Sequence, residues 1–167
     1  MGSIPTARIV RSRRADGPLV SNRGVPGHDR RMPTFHRGRL LDHVHLRVRD
    51  LEASRRFYAA ALGALGHELG PSGDGYFQAD ELFVSTDGPP TGNLHIAFQT
   101  ESRDDVHRFY DAVLAAGGRD NGAPGEREYH PGYYAAFALD PDGNNVEAVN
   151  HGPARRSAPS VAFEVDG

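Results

Sequence analysis

Between residues 43 and 118 one hydrophobic pattern occurs twice. Val44, Leu46 and Val48 alternate with His43, His45 and Arg47, which predicts a strand over 43–49 with one apolar and one polar face. Asp50 is suited to cap a helix in which Leu51, Phe57, Tyr58, Ala61, Leu62 and Leu65 recur at helical spacing, with Gly66 near its end. Further on, Ile96 and Phe98 alternate with His95, Ala97 and Gln99. Ser102 then caps a second helix that buries Val106, Phe109, Tyr110, Val113 and Leu114, and Gly117-Gly118 stops it.

The two copies align without a gap over 24 positions at an offset of 52. Eight positions are identical: His43/His95, Arg56/Arg108, Phe57/Phe109, Tyr58/Tyr110, Ala60/Ala112, Leu62/Leu114, Ala64/Ala116 and Gly66/Gly118. Repetition at a fixed offset marks a duplicated structural unit. Shorter strands are expected after each helix, at 75–79 and 82–86 and again at 133–139 and 144–150. The last two are joined by Asp140-Pro141-Asp142-Gly143, a type I turn sequence. Each copy therefore reads as βαββ or βαβββ. The expected fold class is α+β: paired βαβββ modules forming a cupped, mostly antiparallel sheet, with helices on the apolar face. Module one spans 41–90 and module two 93–151, within a domain of 39–151. Residues 1–38 read as a disordered Arg-rich leader, and 152–167 as a tail in which Ser160–Val165 forms a short strand.

A simple hairpin register across the 140–143 turn pairs Leu139 with Asn144, Phe137 with Val146 and Ala136 with Glu147. It sends Phe137, Leu139 and Val146 to the core. Tyr134, Ala136 and Glu147 then share the inner face with His43 and His95. Two imidazoles and one carboxylate converging there suit one divalent ion (Fe2+, Mn2+, Ni2+, Co2+ or Zn2+), with positions left open for substrate and water. His45 points the same way as His43 and is a candidate acid or base. Tyr134 is a candidate hydrogen-bond donor to a substrate oxygen. The aromatic-rich loop 127–133 could cover the site. His67, His107 and His151 are expected at the surface.

Composition narrows the possibilities. The chain has 167 residues and no cysteine, which excludes disulfides and any Cys-ligated centre. Mean hydropathy is −0.56 and no apolar run is long enough for a membrane span. Residues 1–40 hold nine arginines against Asp16 and Asp29, a net +7, whereas 41–167 sum to −10. That split does not fit a uniformly basic nucleic-acid module. The apolar pieces of the leader are too short for a secretory signal, so a cytoplasmic protein is expected.

The segments LDHVHLRVRDLEASRRFYAAALGALG, NLHIAFQT and DPDGNNVEAVNH resemble the vicinal oxygen chelate superfamily, which contains glyoxalases, bleomycin-resistance proteins and extradiol dioxygenases. The resemblance covers about residues 41–151. It implies an enzyme that chelates a small oxygen-rich substrate on a divalent metal, with His43, His95 and Glu147 as ligands and a homodimer as the working form. Sites shared between exchanged modules are among the arrangements it implies. Glyoxalase I has a fourth ligand, and aligning Leu82-Phe83-Val84 with Val146-Glu147-Ala148 puts Phe83 in that slot. Glu81, two residues away, is the nearest substitute. Three ligands suit dioxygenase or thiol-transferase chemistry better than lactoylglutathione lyase chemistry. The alternative reading is a metal-free protein that sequesters a cationic drug. A third reading makes the Arg-rich leader the working part of an interaction protein.

Overall fold

The computed structural model describes residues 41–153, together with the backbone of two strands nearer the termini. The first of these is β1 (Thr34–Arg37). Module one follows as β2 (Val44–Arg47), α1 (Leu51–Ala64), β3 (Ser72–Gly73), β4 (Tyr76–Ala79) and β5 (Leu82–Ser85). Module two is β6 (His95–Gln99), α2 (Arg103–Ala115), β7 (Arg119–Glu126), β8 (Tyr134–Leu139) and β9 (Asn145–Asn150). The last strand, β10 (Val161–Glu164), pairs antiparallel with β1, Phe163 opposite Phe35. The strand expected within 160–165 is therefore present, and its partner lies in the segment read as a disordered leader. The remainder of the expected leader and tail lies outside the described residues.

Each module is a four-stranded mixed sheet, in the orders β2-β5-β4-β3 and β6-β9-β8-β7. In each, one pair is parallel and the others are antiparallel. The α+β class and the paired modules are as expected. The second strand of module two, β7, escaped the pattern because Arg119–Glu126 has no alternation and carries register shifts at Gly122 and Gly125.

Both helices start where their caps predict. The Asp50 carboxylate accepts from the backbone N–H of Glu52 and Ala53, each at 3.0 Å. Ser102 and Asp105 form a reciprocal capping box. Gly117 ends α2 at φ +97°, a conformation costly for any residue with a Cβ. The helices pack on each other, and one core joins both apolar sheet faces: Leu46, Phe57, Tyr58, Phe77 and Val84 meet Phe109, Val113, Ala138, Val146 and Ala148. Full burial of each large apolar side chain contributes about 1.5–3 kcal/mol.

The β8–β9 turn ties the modules together. Asp140 is buried and accepts from the Tyr58 hydroxyl of α1 at 2.9 Å and from the Asn144 amide at 3.1 Å. Asp142 accepts from the backbone N–H of Arg49, just before α1, at 3.2 Å.

This turn also corrects the expected register. Asn144 is not paired as a strand residue. The Asp140 N–H donates to its carbonyl at 2.9 Å, and Gly143 at φ +90° accommodates the additional residue. Leu139 therefore faces Asn145, Ala138 faces Val146 and Phe137 faces Glu147. A one-residue slip turns every side chain of a strand over. Ala136 and Ala138 go to the core and Phe137 leaves it. Tyr134 goes to the α2 side, where its hydroxyl lies 2.8 Å from His107 Nε2 and its ring under the Arg103 guanidinium.

Candidate functional site

The core takes the apolar faces, so the opposite face of each sheet is left to other work. On sheet two, β6 and β9 run parallel with Ala97 beside Glu147, which puts His95 and Glu147 on the same face. His95 Nε2 lies 2.8 Å from Glu147 Oε2. The second carboxylate oxygen, Oε1, accepts from the Tyr133 hydroxyl at 2.6 Å. The Glu147 side chain is only 2% exposed, while that of His95 is 52% exposed. A buried carboxylate is costly unless its oxygens are bonded, and here both are. Phe137 flanks His95, with ring centroids 6.1 Å apart, and carries the Arg127 guanidinium on its ring.

Burial raises the Tyr133 phenol to about 12, assisted by its bond to Glu147 and by that residue's charge. It therefore remains a proton donor through neutral pH. Sequence reasoning chose Tyr134 for the inner face, and the register gives that place to its neighbour. The one available signal was that consecutive strand residues alternate, so one of the two tyrosines had to face each way.

On sheet one, His45 is the register partner of Phe83. Its Nε2 lies 2.9 Å from Ser85 Oγ, which in turn donates to Asp87 at 2.8 Å. Asp87 also accepts from Arg47 Nε at 2.9 Å. The Ser85 bond, with help from Arg47, holds its carboxyl below the usual range. The His45 ring meets Phe83 edge-on at 4.9 Å, and Phe83 stacks on Tyr76. His43 directly precedes β2, with Nδ1 2.7 Å from Asp42 and a side chain 56% exposed.

The donor chemistry of His95 and Glu147 fits half of a nitrogen/oxygen metal centre. Among the described residues, no three His, Asp or Glu side chains gather closely enough to hold one ion. The expected convergence of His43 with His95 and Glu147 therefore does not occur within one chain. The physical reason is the core: with α1 and α2 packed together and both apolar faces turned inward, the polar faces point away from it.

The sequence model of the Glyoxalase/Bleomycin resistance protein/Dioxygenase superfamily matches residues 40–148. The chain belongs to this superfamily. It is 33% identical over 128 residues to YqjT, an uncharacterised protein of Bacillus subtilis, covering 65% of this chain and 97% of that one. A crystal structure of a glyoxalase/bleomycin resistance protein from Albidiferax ferrireducens is 32% identical, with a TM-score of 0.58 over 66% of this chain and 98% of that chain. A glyoxalase-related enzyme from Fulvimarina pelagi shares the fold at 20% identity and a TM-score of 0.57, over 76% of this chain and 99% of that chain. Within the superfamily fold, Phe83 and Glu147 are equivalent: His45 pairs with Phe83 as Ala97 pairs with Glu147. No helix among the described residues is long and apolar enough to cross a membrane.

Proposed function

We propose that this protein is a metal-dependent enzyme acting on a small oxygen-rich substrate, with a site assembled between two copies of the chain. The observation that carries the reading is the buried Glu147 carboxylate, with Oε2 2.8 Å from a half-exposed His95 imidazole. Glu147 and His95 would hold a divalent ion, and His43 of a second copy would supply the third donor. A homodimer joined by a twofold axis brings the polar face of one sheet one against that of the other copy's sheet two. The bound ion supplies Lewis-acid polarisation of a chelated substrate oxygen.

The remaining work falls to the protein's own groups. His45, whose Nε2–H donates to Ser85 Oγ, would accept or return a proton at its other ring nitrogen, Nδ1. Phe83 and Phe137 give the site apolar walls that exclude water. Phe83 stands where a fourth ligand would be, and phenylalanine neither ligates nor accepts a proton. This favours dioxygenase or transferase chemistry over glyoxalase I chemistry.

Elemental analysis of protein refolded in turn with iron, manganese, nickel, cobalt and zinc tests the reading. Near one ion per chain is expected, lost in Glu147→Ala and His95→Ala. Unchanged metal content in those variants, or none in the unaltered protein, overturns it. The net −10 of residues 41–167 favours a second reading, sequestration of a cationic drug without metal. Tight drug binding by a variant lacking His43, His95 and Glu147 would establish that one instead.

A further inference from the structure

The loop ahead of β8 is built around one phenol. Its backbone closes on itself, with the Arg127 N–H donating to the Tyr133 carbonyl at 2.9 Å and the Tyr133 N–H to the His130 carbonyl at 3.1 Å. Three rings meet Tyr133 edge-on: Tyr129 at 4.9 Å, His130 at 5.2 Å and His151 at 5.2 Å. His130 and His151 are themselves joined, Nε2 to Nδ1, at 2.9 Å. Gly132, at φ +85°, lets the chain turn against the backbone of His151 and Gly152. The phenol thus enters the site from a braced aromatic cluster, and its hydroxyl reaches Glu147 Oε1 at 2.6 Å.

We propose that Tyr133 is a positioning residue of the metal centre: it anchors Oε1 of Glu147 and leaves Oε2, beside His95, as the single oxygen offered to the ion. The inference rests on the metal reading above. Glu147 is almost wholly buried, so water does not readily replace the phenol at Oε1. Partners that orient a metal ligand commonly affect affinity by about 10–100-fold when removed. A carboxylate free at both oxygens can rotate or chelate through both, which changes the coordination number of the ion.

Tyr133→Phe tests this, since it keeps the ring and its three edge contacts and removes one oxygen. Cobalt(II) is the probe, read by competition with a chromogenic chelator and by its visible absorption, which weakens as coordination number rises. The expected result is a dissociation constant raised about tenfold or more, a weaker visible band, and an unchanged far-ultraviolet spectrum. Tyr129→Phe, which removes a neighbouring hydroxyl, should leave both readouts as they are. Equal cobalt affinity and spectrum in Tyr133→Phe overturn the proposal while leaving the metal reading intact. Failure of the unaltered protein to bind cobalt or any other tested ion overturns both. If Tyr133→Phe does not fold, the unaltered chain still decides. Zinc(II) binding should perturb the tyrosine ultraviolet absorption through the Oε1 bond, and no perturbation on saturation rejects the role.

Discussion

Phe83 occupies in the first sheet the register position that Glu147 occupies in the second. Each is paired with the third residue of the alternating run that opens its module, His45 and Ala97 respectively. The duplicated halves have thus been left chemically unequal, one with a ligand-type carboxylate and one with an aromatic wall. Phe83→Glu should restore symmetry. The prediction is a gain in metal affinity of at least about tenfold, the lower end of the range for groups that influence a bound ion. A loss of about 0.5–1.5 kcal/mol should accompany it, because the contacts with His45 and Tyr76 go. Chelator competition and urea unfolding measure the two effects.

Glu147→Gln keeps the shape of the side chain and removes its charge. Metal affinity should fall by more than about 100-fold, beyond the range for indirect partners. The far-ultraviolet spectrum should not change, since the helices and both sheets are held by other residues. Retained affinity would remove Glu147 from the ligand set.

A site shared between copies can be rebuilt from two broken ones. His43→Ala and Glu147→Ala should each bind no metal alone. Mixed and refolded together, they should recover binding, because one of the two sites in a mixed dimer then has His43 from one copy with His95 and Glu147 from the other. Elemental analysis of the mixture checks this, and no recovery would mean that the site does not span two chains.

Tyr58 joins the modules through the buried Asp140 carboxylate, 2.9 Å from its hydroxyl. Tyr58→Phe should cost about 1–3 kcal/mol, since Asp140 is left short of a donor out of reach of water. Burial, reinforced by the Asp140 charge, raises the Tyr58 phenol well above 10.0. A raised phenol contributes stability that is fully present below the unfolded value and lost as pH climbs toward the folded one. Urea midpoints of the unaltered protein should therefore fall above about pH 10, and the fall should be shallower in Tyr58→Phe.

Gly118 lies against Phe57 of the other module. A Cβ there would sit 2.6 Å from the Phe57 ring and 2.7 Å from the Val113 carbonyl. The carbonyl belongs to α2 and cannot yield, so Gly118→Ala should destabilise by about 1–3 kcal/mol, as overpacked cores do. Thermal unfolding would show it, and an unshifted midpoint would mean that the module contact is looser than this geometry.

Much of the architecture was legible in the chain. Alternation at 44–48 and 95–99, the caps Asp50 and Ser102, and the offset of 52 depend on neighbours within a few residues or on direct repetition, so they can be read without coordinates. His95 and Glu147 were also correctly paired on one face, because their positions follow from the repeat and from β9 alone. β7 was not legible, since Gly122, Pro124 and Gly125 interrupt any period.

The sequence by itself determined the modules, their equivalence and the polar character of one face of each sheet, because these follow from local periodicity. Tertiary structure alone decided two things. A turn that holds Asn144 by its bonds to Asp140 and Leu94 set the register and so exchanged Tyr134 for Tyr133 beside Glu147. A shared helical core turned the two polar faces outward and so separated His43 from His95 and Glu147. Both outcomes depend on contacts between distant segments, which periodicity along the chain does not encode.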